Sequence, residues 1–208
     1  MLRLPPPISA VLVWFALGAG AGTASAASLT VSVSDKTGKP LPDAVVMLEP
    51  AGAKLPTRPM GGIEIAQKQR AFTPMLTVVT VGTPVTFPNL DTVRHHVYSF
   101  SPAKTFELKL YAGTPSTPVV FDKPGIAVIG CNIHDQMTAW VVVVDTPLHA
   151  RTGADGRAQL DGVAAGNYRL RAWHPVLAAD AQPPAVALAV AGTDVQAAVR
   201  LEGVATAP

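Results

Sequence analysis

The stretch "GIAVIGCNIHDQMTAWVVVV", residues 125–144, decides how the chain is read. Both of its ends are short, apolar and rich in β-branched residues, which suits buried strands. Its centre is polar and shows no helical period. It therefore reads as strand, loop, strand. The loop carries Cys131, His134 and Met137, and Cys131 is the only cysteine in 208 residues. Such a loop can turn three side chains toward one point. A thiolate with an imidazole suits a soft or borderline ion, and a thioether favours copper over zinc. One Cys, two His and a weak axial Met form a blue-copper ligand set. This loop holds three of those four donors, so a second histidine has to come from elsewhere.

Working outward, the rest of the chain repeats the strand pattern. Short apolar runs such as "SLTVSVSD", "DAVVMLEP", "HHVYSF", "NYRLRAWHP" and "VQAAVRLE" alternate with Pro, Gly and Asp turns, and helix patterns are nearly absent. Regular strands with turn signals between them predict an all-β sandwich or barrel. "PAGAKLPTRPMGG" reads as a linker or a long loop.

The missing histidine comes from "GTPVTFPNLDTVRHHVYSF", residues 82–100. Strand alternation puts His95 on the apolar face of Val93 and Val97, and puts His96 with Arg94 and Tyr98 on a solvated face. Together with the Cys131 loop, this stretch resembles the cupredoxins, and amicyanin most of all. In that family an aromatic-ended strand leads to an Asn, an acidic residue and a ligand His followed by Asn-Val. Here the order is Phe87, Asn89, Asp91, His95, His96 and Val97. The Cys-x-x-His-x-x-Met spacing also matches; plastocyanins have a longer His-to-Met gap. The resemblance covers roughly residues 72–145. It implies a Greek-key β-sandwich holding one type 1 copper through His95, Cys131, His134 and Met137, with Asn89 and His96 beside the ligands. Arg94 and Ile133 depart from the prolines usual in the family, and Asp135 and Gln136 make the loop more polar. His149 and His174 have no partners at ligand spacing and read as surface or strand-end residues.

Two flanking stretches resemble a different family. "VSVSDKTGKPLPDAVVMLEP" (31–50) looks like the start of a carboxypeptidase-regulatory or transthyretin-like domain. "ARTGADGRAQLDGVAAGNYRLRAWHP" (150–175) looks like its continuation, with Thr152, Asp155, Gly156, Gly166 and Tyr168 at the family's turn and strand positions. About a hundred residues separate the two, and the cupredoxin-like stretch fills that gap. The expected organisation is a cupredoxin-like domain at 52–148 inserted in, or joined to, a second small β-sandwich at 27–51 and 149–204. One enlarged sandwich with added strands is the alternative.

The N-terminus reads as an export signal over residues 1–26. Arg3 precedes an apolar run from Ile8 to Leu17, which is too short to span a membrane, and small residues lead to Ala24-Ser25-Ala26. Cleavage there implies a periplasmic protein without stable membrane insertion. Removing Arg3 lowers the formal charge from +2 to +1. Such a balance gives no electrostatic case for nucleic acid. In an oxidising compartment a single cysteine needs its own explanation, and a metal thiolate supplies one.

The functional expectation is a periplasmic type 1 copper protein. It would pass single electrons between redox partners such as a dehydrogenase or a cytochrome. Proteins with this combined pattern are similar to those labelled methylamine-utilisation proteins. The alternatives are copper storage or delivery, or a structural β-sandwich that retains a metal loop. No nucleophile or carboxylate pair supports an enzyme.

Overall fold

The structure is a computed structural model that describes residues 26–177 and 185–202. The expected signal segment lies outside the described residues save for Ala26. All regular structure among the described residues is strand, and no helix there is long and apolar enough to cross a membrane.

The chain opens with β1 (Ala27–Asp35) and β2 (Val45–Pro50). Short strands follow: β3 (Ile63–Glu64), β4 (Ala66–Lys68), β5 (Ala71–Thr73), β6 (Leu76–Thr80) and β7 (Thr83–Thr86). The middle continues with β8 (His95–Ser101), β9 (Lys104–Tyr111), β10 (Val119–Phe121), β11 (Gly125–Gly130) and β12 (Thr138–Val144). The last part holds β13 (His149–Arg151), β14 (Arg157–Val163), β15 (Gly166–Trp173), β16 (Ala185–Val190) and β17 (Val195–Leu201).

Pairing sorts these strands into two bodies. In the outer body β1 lies between β14 and β17, and β2 lies in a sheet ordered β13-β2-β15-β16. In the inner body a five-stranded sheet, β6-β12-β11-β8-β9, faces a three-stranded one, β10-β7-β3, with the β4–β5 hairpin alongside. No ladder joins β1 or β2 to any strand between β3 and β12 among the described residues. Residues 31–50 thus find their sheet partners a hundred residues or more further on, in the stretch that carries Thr152 and Tyr168 and in β17.

Apolar alternation explains the layers. β1 buries every second residue, as a strand with one core face must. β2 buries four consecutive residues, Val45 to Leu48, so both of its faces are covered. The outer body's core collects Leu29, Val31, Val33, Leu160, Leu170 and Trp173, and it also takes in Leu76, Val142 and Val144 of the inner body. A second core lies within the inner body and includes Phe87, Val97, Phe121, Ile129, Cys131, Met137 and Val141. β12 therefore serves both cores, sending Ala139, Val141 and Val143 one way and Val142 and Val144 the other. The two bodies share apolar surface through that strand.

The flanking motif residues act as staples. The Thr152 hydroxyl donates to Leu41 O at 2.6 Å and accepts from Ala44 N at 2.8 Å. Gly156 sits at φ +70°, and a Cβ there would come within 2.8 Å of Pro40 Cβ and Val33 O. The Tyr168 hydroxyl donates to Ala164 O.

Candidate metal centre

The β11–β12 connection is tight, and it closes with Met137 N donating to His134 O at 2.9 Å. Cys131 is 3 % exposed at the end of β11, and Met137 is 1 % exposed at the entrance to β12. His95 begins β8 and is wholly buried. These elements bring the Cys131 sulfur and one ring nitrogen each of His95 and His134 within 4.8 Å of one another. The two imidazole rings lie 5.1 Å apart, edge to face. Met137 belongs to the same apolar cluster as Cys131.

The ring nitrogens show which atoms are free to bind. His95 Nε2 lies 2.8 Å from Asp91 Oδ2, which assigns the proton to Nε2 and leaves Nδ1 with its lone pair. That Nδ1 is buried with no hydrogen-bond partner, as is Nδ1 of His134. A buried nitrogen without a partner is costly, so two beside one buried thiol need an explanation. A cation between them supplies it. The donor set of one soft sulfur and two imidazoles fits copper or zinc, and a nearby thioether favours copper.

The segment before His95 is built to hold Asp91. Asn89 is 4 % exposed; its Nδ2 donates to Val93 O and Tyr111 O, and its Oδ1 accepts from Asp91 N. Asp91 also accepts from the backbone amides of Gln69 (2.6 Å) and Arg70 (2.9 Å). Both residues turn the β4–β5 hairpin at positive φ, 55° and 57°. Burial pushes the Asp91 carboxyl upward. The bonds from Arg70, His95 and Gln69 outweigh it and hold the pKa below the ordinary carboxylate value.

Tyr111, paired in register with His95, donates to Phe87 O and accepts from Gln67 Nε2. Burial, with a smaller contribution from the nearby Cys131, raises its pKa to about 12. It therefore stays neutral beside the thiol.

His96 corrects the sequence reading. It was expected to be solvated and is 5 % exposed, with Nε2 2.9 Å from Glu107 Oε1. The β8–β9 ladder shifts register between His95 and Val97, so simple alternation does not hold at this point. Val97 is buried as expected, but Val93 precedes the strand and is 40 % exposed. His149 and His174 stand apart from the cluster: His149 Nδ1 lies 3.1 Å from Thr146 O, and His174 Nε2 lies 3.1 Å from Pro42 O. The roles of Asp91, Tyr111 and Gln67 escaped the sequence reading. Asp91 stood four residues before His95, but no periodic pattern in a loop says which way a carboxylate points.

No family model matches the chain, and neither does any curated protein. Parts of several solved structures resemble it. A reduced amicyanin variant aligns at 20% identity over 40% of this chain and 83% of its own, with a TM-score of 0.37. A purple cupredoxin from Nitrosopumilus maritimus aligns at 22% identity over 40% of this chain and all of its own, with a TM-score of 0.35. A copper-containing nitrite reductase from Thermus scotoductus aligns at 23% identity and a TM-score of 0.37 over 46% of this chain, which corresponds to only a quarter of that enzyme. These likenesses are partial, and the chemistry of the centre rests on its own geometry.

Proposed function

We propose that the protein is an exported, periplasmic carrier of single electrons that holds one type 1 copper. The observation that carries this reading is the convergence of one buried thiol with one ring nitrogen each of His95 and His134, residues whose Nδ1 atoms are buried without protein partners. His95, Cys131 and His134 would hold the metal, and Met137 would offer a weak thioether donor beside them. Copper, when bound, would supply one-electron exchange at a site with one thiolate donor. The protein fixes the His95 tautomer through Asp91, braces that loop through Asn89 and keeps water from Cys131 by burial. A donor set held this firmly suits both oxidation states, so little rearrangement accompanies electron transfer. His134 is the half-buried member, and it offers the shorter route to a redox partner such as a dehydrogenase or a cytochrome. The outer body, read as a carboxypeptidase-regulatory-like sandwich interrupted by the copper domain, contributes packing and no chemistry.

The test is a visible and EPR spectrum of the Cu(II)-loaded protein. An intense thiolate-to-copper band is expected, and Cys131→Ser removes it because a hydroxyl cannot replace a soft thiolate. A colourless wild-type adduct overturns the type 1 reading. A coloured protein that binds copper without cycling with any one-electron partner favours storage or delivery.

A further inference from the structure

The β4–β5 hairpin is set apart by its conformation. Its ladder pairs Ala66 with Thr73, Gln67 with Phe72 and Lys68 with Ala71, which leaves Gln69 and Arg70 as a two-residue turn. Both turn residues have positive φ, 55° and 57°. That is the geometry of a type I′ hairpin turn, whose central positions favour Asn and Gly. A glutamine and an arginine are held there against their steric preference. Among the described residues, Asp43 is the only other non-glycine residue at positive φ. Gln69 and Arg70 are both exposed, so burial of their side chains does not explain the conformation.

The backbone of the turn has a use for it. The Gln69 amide donates to Asp91 Oδ1 at 2.6 Å and the Arg70 amide donates to Asp91 Oδ2 at 2.9 Å. Bonds to a charged acceptor are the strong ones, and a two-pronged pair also fixes orientation. Asp91 Oδ2 in turn lies 2.8 Å from His95 Nε2. Asn89 fixes the backbone of Asp91 by accepting from its amide, but that bond leaves the direction of the carboxylate open. The hairpin is itself fastened to the same loop. Gln67 N donates to Pro88 O, Leu90 N donates to Gln67 O, and Gln67 Nε2 donates to Phe87 O. Gln67 and Phe72, paired across the hairpin, are both buried. The turn therefore reaches Asp91 from an anchored support.

We propose that the Gln69–Arg70 turn is a positioning element for the metal centre: its two backbone amides aim Asp91, and Asp91 holds the His95 proton on Nε2 so that Nδ1 keeps its lone pair. The two residues act through their amides and their backbone conformation. Neither belongs to the cluster of His95, Cys131 and His134. Aiming Asp91 and fixing the tautomer are properties of the metal-free protein; only the effect on metal affinity rests on the copper reading. The linkage is reciprocal. Whatever relaxes the turn frees Asp91, and a metal that requires the His95 lone pair opposes that relaxation.

Three variants of the full chain test this. The readouts are the imidazole nitrogen chemical shifts of His95 in the metal-free protein, and Cu(I) affinity in a chelator competition. Gln69→Asn combined with Arg70→Gly keeps both amides and gives the turn its preferred residues. This double substitution should raise the melting temperature and keep the wild-type tautomer and affinity. Gln69→Pro removes an amide and demands a φ of about −65°. Two glycines inserted between Gln69 and Arg70 spare the ladder but draw the amides away from Asp91, and this insertion carries the test if Gln69→Pro does not fold. Both changes should mix the His95 tautomers and lower affinity about ten-fold. In an Asp91→Asn background they should cost no further affinity, because the path they act through is already cut. A merely structural hairpin would cost the same in both backgrounds. Wild-type tautomer and affinity in the insertion, weakened affinity in the double substitution, or a full further loss on top of Asp91→Asn each overturn the proposal. Mixed tautomers in the turn variants of a protein that never colours with Cu(II) would sink the copper reading and leave the aiming of Asp91 standing.

Discussion

The two bodies bury polar groups in opposite ways. Among the described residues, the outer body's core holds two buried polar side chains, Thr146 and Thr152. Each spends its hydroxyl on backbone of the first fifty residues, Thr146 on Leu48 O and Thr152 on Leu41 O and Ala44 N. The inner body buries Gln67, Thr77, Asn89, His95, His96 and Ser99 among others, and several of its polar atoms lack partners: Gln67 Oε1, Thr77 Oγ1 and the Nδ1 atoms of His95, His96 and His134. Most of the incomplete polar burial therefore falls in the body that carries the thiol. Trp173 Nε1 is the outer body's exception. The contrast separates polar groups that staple a fold from polar groups left without a protein partner, His95 and His134 Nδ1 at the cluster among them.

The strongest way to break this comparison is to separate the bodies. A fragment of residues 52–148 keeps His95, Cys131, His134 and Met137 but uncovers Leu76, Val142 and Val144, which now lie in the shared core. It should aggregate or lose cooperative melting in a scanning-calorimetry trace. A monomeric fragment with the full chain's colour would show that the shared surface is dispensable. Within the outer body, Thr152→Val keeps the shape, loses both hydroxyl bonds and orphans the Ala44 amide. It should cost about 1–3 kcal/mol in denaturant unfolding while leaving metal affinity unchanged. If affinity falls as well, the two bodies are coupled more tightly than their sheets imply.

Within the inner body, Asp91→Asn should weaken copper binding about 10–100-fold in a chelator competition, because the carboxylate no longer fixes the His95 proton on Nε2. Equal affinity would reduce Asp91 to a loop brace. The smallest effect belongs to Met137→Gln, which should retain copper and lower the reduction potential, since an amide oxygen is a harder donor than a thioether. An unchanged potential in voltammetry would make Met137 a core residue only.

Much of this architecture was legible because it rests on local signals. The strand runs and the Cys131–Met137 loop follow from composition and spacing; His95 does lie beside that loop, but the alternation that singled it out over His96 does not hold, since both are buried. What stayed hidden depends on long-range contacts. His96 is buried because the β8–β9 register shifts beside it and Glu107 meets its ring. Asp91 points at His95 because a hairpin twenty residues earlier offers two amides. The double burial of β2 and the sharing of β12 between two cores depend on how sheets stack, and Val142 and Val143 carry no mark of which core each will join.

The pairing also orders events in time. A chain emerging from its N-terminus presents β1 and β2 first, yet β1 has its neighbours in β14 and β17, and β2 has its own in β13 and β15. The threonine bonds that fasten this body span 98 to 111 residues. Contacts that far apart form late, after the nearer pairings between β6 and β12 are already possible. The apolar run Val45–Leu48 must wait in an unpaired strand for as long as it takes to make the hundred residues behind it. Holding that run apart from other chains in the interval is therefore a demand on the cell's chaperones, and the sensitive step in making this protein lies in its least chemical part.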